Sequence, residues 1–208
     1  MYGGLLTVME ELKVNKVVIS MQGDNSENYR RFEQIVKNKN IKVMNVEKGN
    51  RLTIERNLHI DILWPKNDRL VTENTLNNNS IVCKLIYNKF SMIFTGDIEE
   101  IAEKQILHEY KHNLEILSSH ILKVAHHGSK TSSIKEFIDV VNPKIALIGV
   151  GENNKFGHPN EEVITRLKTR GTRIYRTDQN GEILVMVDKK GAIKIKKDLE
   201  RNFIQKLK

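Results

Sequence analysis

The chain has 208 residues, enough for one domain with a substantial core; its 39% hydrophobic and 29% charged residues are ordinary for a soluble globular protein, and its longest apolar stretches, such as Ile145 to Ile148, are strand-length, which excludes a bilayer-spanning segment. Its single cysteine, Cys83 in the apolar run Ile81-Val82-Cys83, excludes an internal disulfide framework and a cysteine-built zinc site, and reads as a buried strand residue. The net charge of +8 is unevenly spread, because eight Lys and Arg stand against two acids from Lys189 to Lys208. Those residues read either as a nucleic-acid contact or as a solvated amphipathic end in which Leu199, Phe203, Ile204 and Leu207 dock on the domain.

Apolar residues at helical spacing (Leu5, Leu6, Met9, Leu12) predict a first helix, and Val17-Val18-Ile19 a short strand. A second helix is predicted over 26–37, with Tyr29, Phe32, Ile35 and Val36 on one face, then a strand over 41–46. Strands follow over 51–54 and 58–63, and a polar loop runs through Asn77-Asn78-Asn79. Next comes the clearest hairpin, strands 80–87 and 90–95 joined at Asn88-Lys89. Helix 98–107 leads to strand 121–125, a helix near 133–140, strand 144–149, helix 160–170, and strands 172–177, 182–187 and 192–196. Hairpins mixed with helix-linked strands predict an α/β sandwich with helices outside two sheets. The expected organisation is one domain over residues 1–188 with a basic strand and helix tail over 189–208. No basic segment followed by an apolar core opens the chain, so taken alone it is expected to stay in the cytoplasm.

Three places carry chemistry. Asp97 follows Thr95-Gly96 at a strand's end and directly precedes a helix, so its carboxylate reads either as a helix N-cap or as a ligand bridging cations. His126 and His127 end another strand, where adjacent side chains point to opposite sides. One of them would lead coordination of a metal while the other meets substrate or supports the metal's ligands from behind. Gly128 permits close backbone approach, and Ser129 and Lys130 offer a hydroxyl and an ammonium suited to a phosphate. His158, between Gly157 and Pro159 before a helix, is the third candidate, its alternative being a loop histidine at a helix start. His59, His108, His112 and His120 read as structural or exposed. No Gly-rich phosphate loop, dinucleotide fingerprint or His-Glu-x-x-His helix is present.

The strings Asn79-Ser80, Phe94-Thr95-Gly96-Asp97, Leu122-Lys123-Val124-Ala125-His126-His127-Gly128-Ser129-Lys130-Thr131-Ser132, Phe156-Gly157-His158-Pro159 and Tyr175-Arg176-Thr177-Asp178 together resemble the metallo-β-lactamase-like domain of the ComEC competence proteins. The resemblance covers nearly the whole chain. It implies an αββα sandwich, a metal-dependent phosphodiesterase or nuclease activity, and a place in DNA uptake within a membrane channel protein. It makes Asp97, His126 and His127 ligands of a divalent metal, zinc or manganese. His158, Ser129 and Lys130 become the residues that steady the phosphate or the leaving oxygen. In such a site two cations about 3.5–4 Å apart activate a water for in-line displacement.

The chain departs from that pattern at its start. Tyr2-Gly3-Gly4-Leu5-Leu6 resembles the flank of the family's His-x-His-x-Asp-His cluster, which puts Met1 where the last histidine of the cluster belongs. The expectation is therefore an N-terminally truncated domain lacking its N-terminal strands and first ligand cluster, with one weakly held metal or none. A misassigned start, a degenerate remnant and a missing half supplied by another polypeptide all fit. The leading functional reading is a ComEC-like hydrolase acting on DNA, its activity as this chain open. The alternative is a non-catalytic, basic nucleic-acid-binding remnant or partner subunit. A third reading is a hydrolase of the same fold acting on a small phosphoester or lipid headgroup.

Overall fold

A computed structural model describes residues 3–198, so Met1, Tyr2 and the apolar tail positions Leu199, Phe203, Ile204 and Leu207 lie outside the described residues. The first unit is α1 (Gly3–Glu11), β1 (Lys16–Ile19), α2 (Glu27–Asn38) and β2 (Lys42–Asn45), with β1 and β2 parallel. Helix α2 starts where the Ser26 hydroxyl accepts a hydrogen bond from the Tyr29 N–H at 3.2 Å, satisfying one of the donors a helix start leaves open. Phe32 and Ile35, three apart on its inner face, close a small core with Leu6, Met9 and Ile41.

The main sheet has seven strands in the order β3 (Arg51–Glu55), β4 (Leu58–Trp64), β5 (Val82–Tyr87), β6 (Phe90–Phe94), β7 (Ile121–Lys123), β8 (Ile145–Ile148) and β9 (Arg173–Arg176). β3 to β6 form an antiparallel meander, whereas β6 to β9 run parallel. The short helix α3 (Thr75–Asn78) precedes β5, and α4 (Glu100–Glu109), α5 (Lys135–Val141) and α6 (Glu161–Thr169) make the parallel crossovers. Strand alternation decides what each face buries. Ile93, Leu122 and Ala146 enter the large core under the helices with Ile106, Phe137 and Val163. Phe90, Ile121 and Ile145 face the other way. After α7 (Thr177–Asn180), that second face is covered by the antiparallel hairpin of β10 (Ile183–Val187) and β11 (Ile193–Lys197), through Val185, Val187, Ile193 and Ile195. The described part of the expected basic tail is thus a strand built into the fold, with Lys194 and Lys196 on its exposed side. No helix among the described residues is long and apolar enough to cross a membrane.

Several boundaries differ from expectation for identifiable reasons. Helix α5 starts at Lys135 rather than near 133, because the buried Glu103 carboxylate accepts hydrogen bonds from the Ser133 N–H at 2.7 Å and the Ile134 N–H at 2.8 Å. Asn78 and Asn79, expected in a polar loop, are fully buried. Asn79 bonds both backbone groups of Val71, and the Asn78 side-chain oxygen accepts from the Glu99 N–H at 2.9 Å. Cys83 is only half-buried, and burial pushes its thiol up to about 11.

Candidate functional site

The site forms because β6, β7 and β8 are parallel and in register, Phe94 beside Lys123 and Lys123 beside Leu147, so their carboxyl ends open into one crevice. Residues 95–99, 124–134 and 149–158 meet there. Asp97 is reached through Gly96, whose φ of +54° needs glycine and where a Cβ would lie 2.6 Å from that of Ser80. Helix α4 begins at Glu100 with Glu99 at its N-cap position, so Asp97 is not the helix cap, and that alternative reading is set aside. Its side chain is buried, and Oδ2 has no hydrogen-bond partner.

The histidine pair does not continue a strand. β7 stops at Lys123, and His126 (φ 46°, ψ 42°) and His127 (φ 57°, ψ 18°) both adopt the left-handed conformation in a tight turn. For residues with a Cβ this is strained, by about 1–3 kcal/mol each. The turn is tied down where the His126 N–H donates to the Gly96 carbonyl at 3.1 Å and the Asn160 N–H to the Gly128 carbonyl at 2.8 Å. Both rings therefore reach the same crevice instead of opposite faces, and the His126 ring lies 6.5 Å from that of His127 and 5.8 Å from that of His158.

His127 Nδ1 lies 2.6 Å from the Gly149 carbonyl. A carbonyl only accepts, so Nδ1 carries a proton and donates, and Nε2 is the ring nitrogen left to face the crevice. That Nε2 faces Asp97 Oδ1 at 3.7 Å, too far for a hydrogen bond. His126 Nδ1 is 3.3 Å from Glu99 Oε1 without hydrogen-bond alignment. Glu99 is a hub that sequence reasoning missed: its carboxylate also accepts from Asn74 and from the Thr131 hydroxyl, each at 2.9 Å. Its signal was its place two residues beyond Asp97 at the helix start. Lys123 was missed too, although a lysine in the run Ile121-Leu122-Lys123-Val124 is unusual. Burial lowers its ammonium's pKa, and the charge of Asp97 partly offsets this.

Of the other expected residues, Ser129 is buried, and its hydroxyl pairs with that of Thr131 at 3.0 Å. Lys130 is exposed. His158 is half-buried, with its pKa lowered by burial and then by His126 and His127. Among the histidines set aside, His120 accepts from the Ser91 N–H at 3.1 Å and stacks on Phe90, while His108 and His112 are exposed.

An unpaired carboxylate oxygen beside an imidazole whose Nε2 faces it is chemistry that suits a cation. A closed zinc site takes four donors, however, and among the described residues no group of three or more His, Cys, Asp or Glu could hold an ion. The described residues do not make a metal site by themselves.

Comparison with known proteins bears on the setting. The chain is 31% identical over 176 residues to ComE operon protein 3 of Bacillus subtilis (strain 168), covering 85% of this chain and 22% of that protein. It is 33% identical over 107 residues to competence protein ComA of Neisseria gonorrhoeae, covering 51% of this chain and 15% of the relative. To recombination protein 2 of Haemophilus influenzae it is 32% identical over 128 residues, 62% of this chain and 15% of the relative. It thus spans about a fifth of these relatives' length or less. No family model matches. Among solved structures, a CmlA beta-hydroxylase mutant superposes with a TM-score of 0.51 at 10% identity, covering 85% of this chain and 40% of that one. At that identity the likeness shows the fold alone, that of the metallo-β-lactamase class.

Proposed function

The chain belongs to the ComEC family of competence proteins, matching one segment of their length, and from that premise we propose that it contributes part of a metal-dependent phosphodiester-hydrolysing centre acting on DNA during uptake. The observation that carries this reading is the buried, unpartnered Asp97 Oδ2, with Asp97 Oδ1 facing His127 Nε2 while His127 Nδ1 is turned to the Gly149 carbonyl. Asp97 and His127, with His126 beside them, are in our reading the donors offered to zinc or manganese. The remaining donors come from outside the described residues, on another segment or a partner chain. Lys130 and His158 meet the phosphate. Ser129, its hydroxyl engaged by Thr131, holds the loop that presents Lys130.

Equilibrium dialysis against zinc and manganese, followed by cleavage assays on single-stranded DNA and on a small phosphodiester, tests this reading. The expected result is at most one weakly held ion per chain, lost in His127→Ala. Cleavage of DNA in preference to the small ester is expected once a segment carrying the remaining donors is supplied. Absence of metal-dependent cleavage with those donors present would overturn the enzymatic reading, and equal turnover of the small ester would move the substrate away from DNA.

A second reading, DNA binding without catalysis, has its own support in Lys194 and Lys196, which alternate on the exposed side of β11 opposite Met186 and Leu184. Deleting residues 189–208 would remove β11 and unpack the core, so the sound variant is Lys194→Glu with Lys196→Glu. If these lysines bind single-stranded DNA, the slope of log affinity against log salt falls by about 0.7 for each phosphate they no longer neutralise, and Asp97→Ala leaves binding intact. An unchanged slope removes this reading.

A further inference from the structure

We propose that Phe156 is a stacking platform for an unpaired nucleobase at the mouth of the Asp97 and His127 crevice, an inference that rests on the DNA-directed reading above. Phe156 is 81% exposed, the most exposed of the large hydrophobic side chains among the described residues. An apolar ring left in water at the rim of a polar crevice gains nothing for folding, and it packs into none of the hydrophobic clusters.

Its loop is not loose. The Asn154 side chain accepts from the His158 N–H at 2.9 Å and donates to the carbonyls of His158 at 2.8 Å and Gly151 at 3.2 Å. The Thr177 hydroxyl, accepting from the Val150 N–H at 2.7 Å and donating to its carbonyl at 2.6 Å, closes the loop's other end. Phe156 is thus carried on a hydrogen-bonded loop.

Its ring lies nearly parallel to that of His158, at 18° and 6.0 Å between centroids. Inward of this pair the rings meet edge-on, each at 60°: His158 lies 5.8 Å from His126, His126 lies 6.5 Å from His127, and His127 faces Asp97. At the solvent end of this line, the exposed Phe156 ring offers a flat apolar surface to one more ring. An unpaired base has a free π face, whereas a base inside a duplex has both faces covered, so the geometry selects single-stranded DNA. Lys155, exposed and adjacent in the chain, supplies a cation for the accompanying phosphate. Stacking on a ring carries little base identity, so the platform positions a strand relative to the crevice rather than reading its sequence.

The test measures binding of fluorescein-labelled oligothymidylate in EDTA, which separates binding from cleavage, by the unaltered chain and by Phe156→Ala, Phe156→Leu and Phe156→Trp. Phe156→Ala is expected to weaken binding by about 5- to 100-fold with an unchanged salt slope, Phe156→Leu not to restore it, and Phe156→Trp to restore it. The fluorescence of the new indole should be quenched as DNA binds, while the native Trp64, buried at 1% exposure, does not respond. An oligonucleotide of abasic sites should bind all four proteins alike. If Phe156→Ala binds as the unaltered chain does, or if Phe156→Leu restores affinity, the platform is refuted while the DNA-directed reading stands. If the unaltered chain binds no DNA at low salt, that reading falls and the platform with it.

Discussion

Asp97→Asn is expected to raise the melting temperature of the chain while abolishing its affinity for divalent metal, and to lower DNA cleavage by at least about 100-fold where the completed site is assayed. The three effects have one cause. The Asp97 side chain is 5% exposed, Oδ2 has no partner, and Oδ1 lies 3.7 Å from His127 Nε2, beyond hydrogen-bond reach. A buried polar atom without a partner costs about 1–3 kcal/mol, and a charged one lies toward the upper end. Asparagine keeps the shape and removes the charge. One term opposes this, since Lys123 loses the favourable charge of Asp97. Lys123 retains its hydrogen bond to the Val124 carbonyl at 3.0 Å and some access to water, so that loss is the smaller. The net gain is about 1 kcal/mol, a rise of roughly 2–4 °C for a chain of this size. Thermal melts with and without zinc check it. A fall in melting temperature in metal-free buffer would mean that the carboxylate is a structural group, and would remove the main support for a cation at this place.

The parallel strand ends that carry Asp97 and the histidines were legible because alternation and length mark strands well. The hairpin at Asn88-Lys89 was legible because asparagine tolerates the left-handed turn seen there, with φ of 52°. The His126 and His127 turn was not. Two consecutive left-handed residues with side chains are rare, and what imposes them is tertiary: the His126 N–H bonded to Gly96, and a Gly128 so close to Pro159 that a Cβ would sit 2.6 Å from the proline's own. The roles of Glu99, Asn78 and Asn79 were hidden for a similar reason. Their partners are up to about thirty residues away along the chain, and a polar residue bonded to distant backbone looks the same in sequence as one bonded to water. Phe156 was visible as part of a motif, but its exposure on a loop framed by Asn154 and Thr177 was not.

Glu103 carries the largest expected effect on stability. Its side chain is fully buried, and its two oxygens accept from the Ser133 and Ile134 N–H groups just ahead of α5. Arg166 comes to the same turn and donates to the Ser133 carbonyl at 3.2 Å. Glu103→Ala leaves both N–H groups without acceptors and opens a cavity under the turn. At about 1–3 kcal/mol for each unsatisfied group, the cost is roughly 3–5 kcal/mol, and the loop bearing Lys130 loosens with it. Burial pushes the Glu103 carboxyl up to about 7, only partly opposed by the two N–H groups and by Arg166.

The folded protein therefore holds the Glu103 proton more tightly than the unfolded chain, whose value stays near 4.5. The resulting stabilisation is complete below about pH 4.5 and is lost as pH rises to 7, a change of about 3 kcal/mol from this group. Glu103→Gln, which cannot ionise, isolates the effect. Urea melts between pH 4.5 and 8 should show the variant close to the unaltered chain at the acid end and gaining on it as pH rises. Should the unaltered chain instead gain on Glu103→Gln as pH rises, the carboxylate is ionised when folded, and the two N–H groups with Arg166 outweigh its burial.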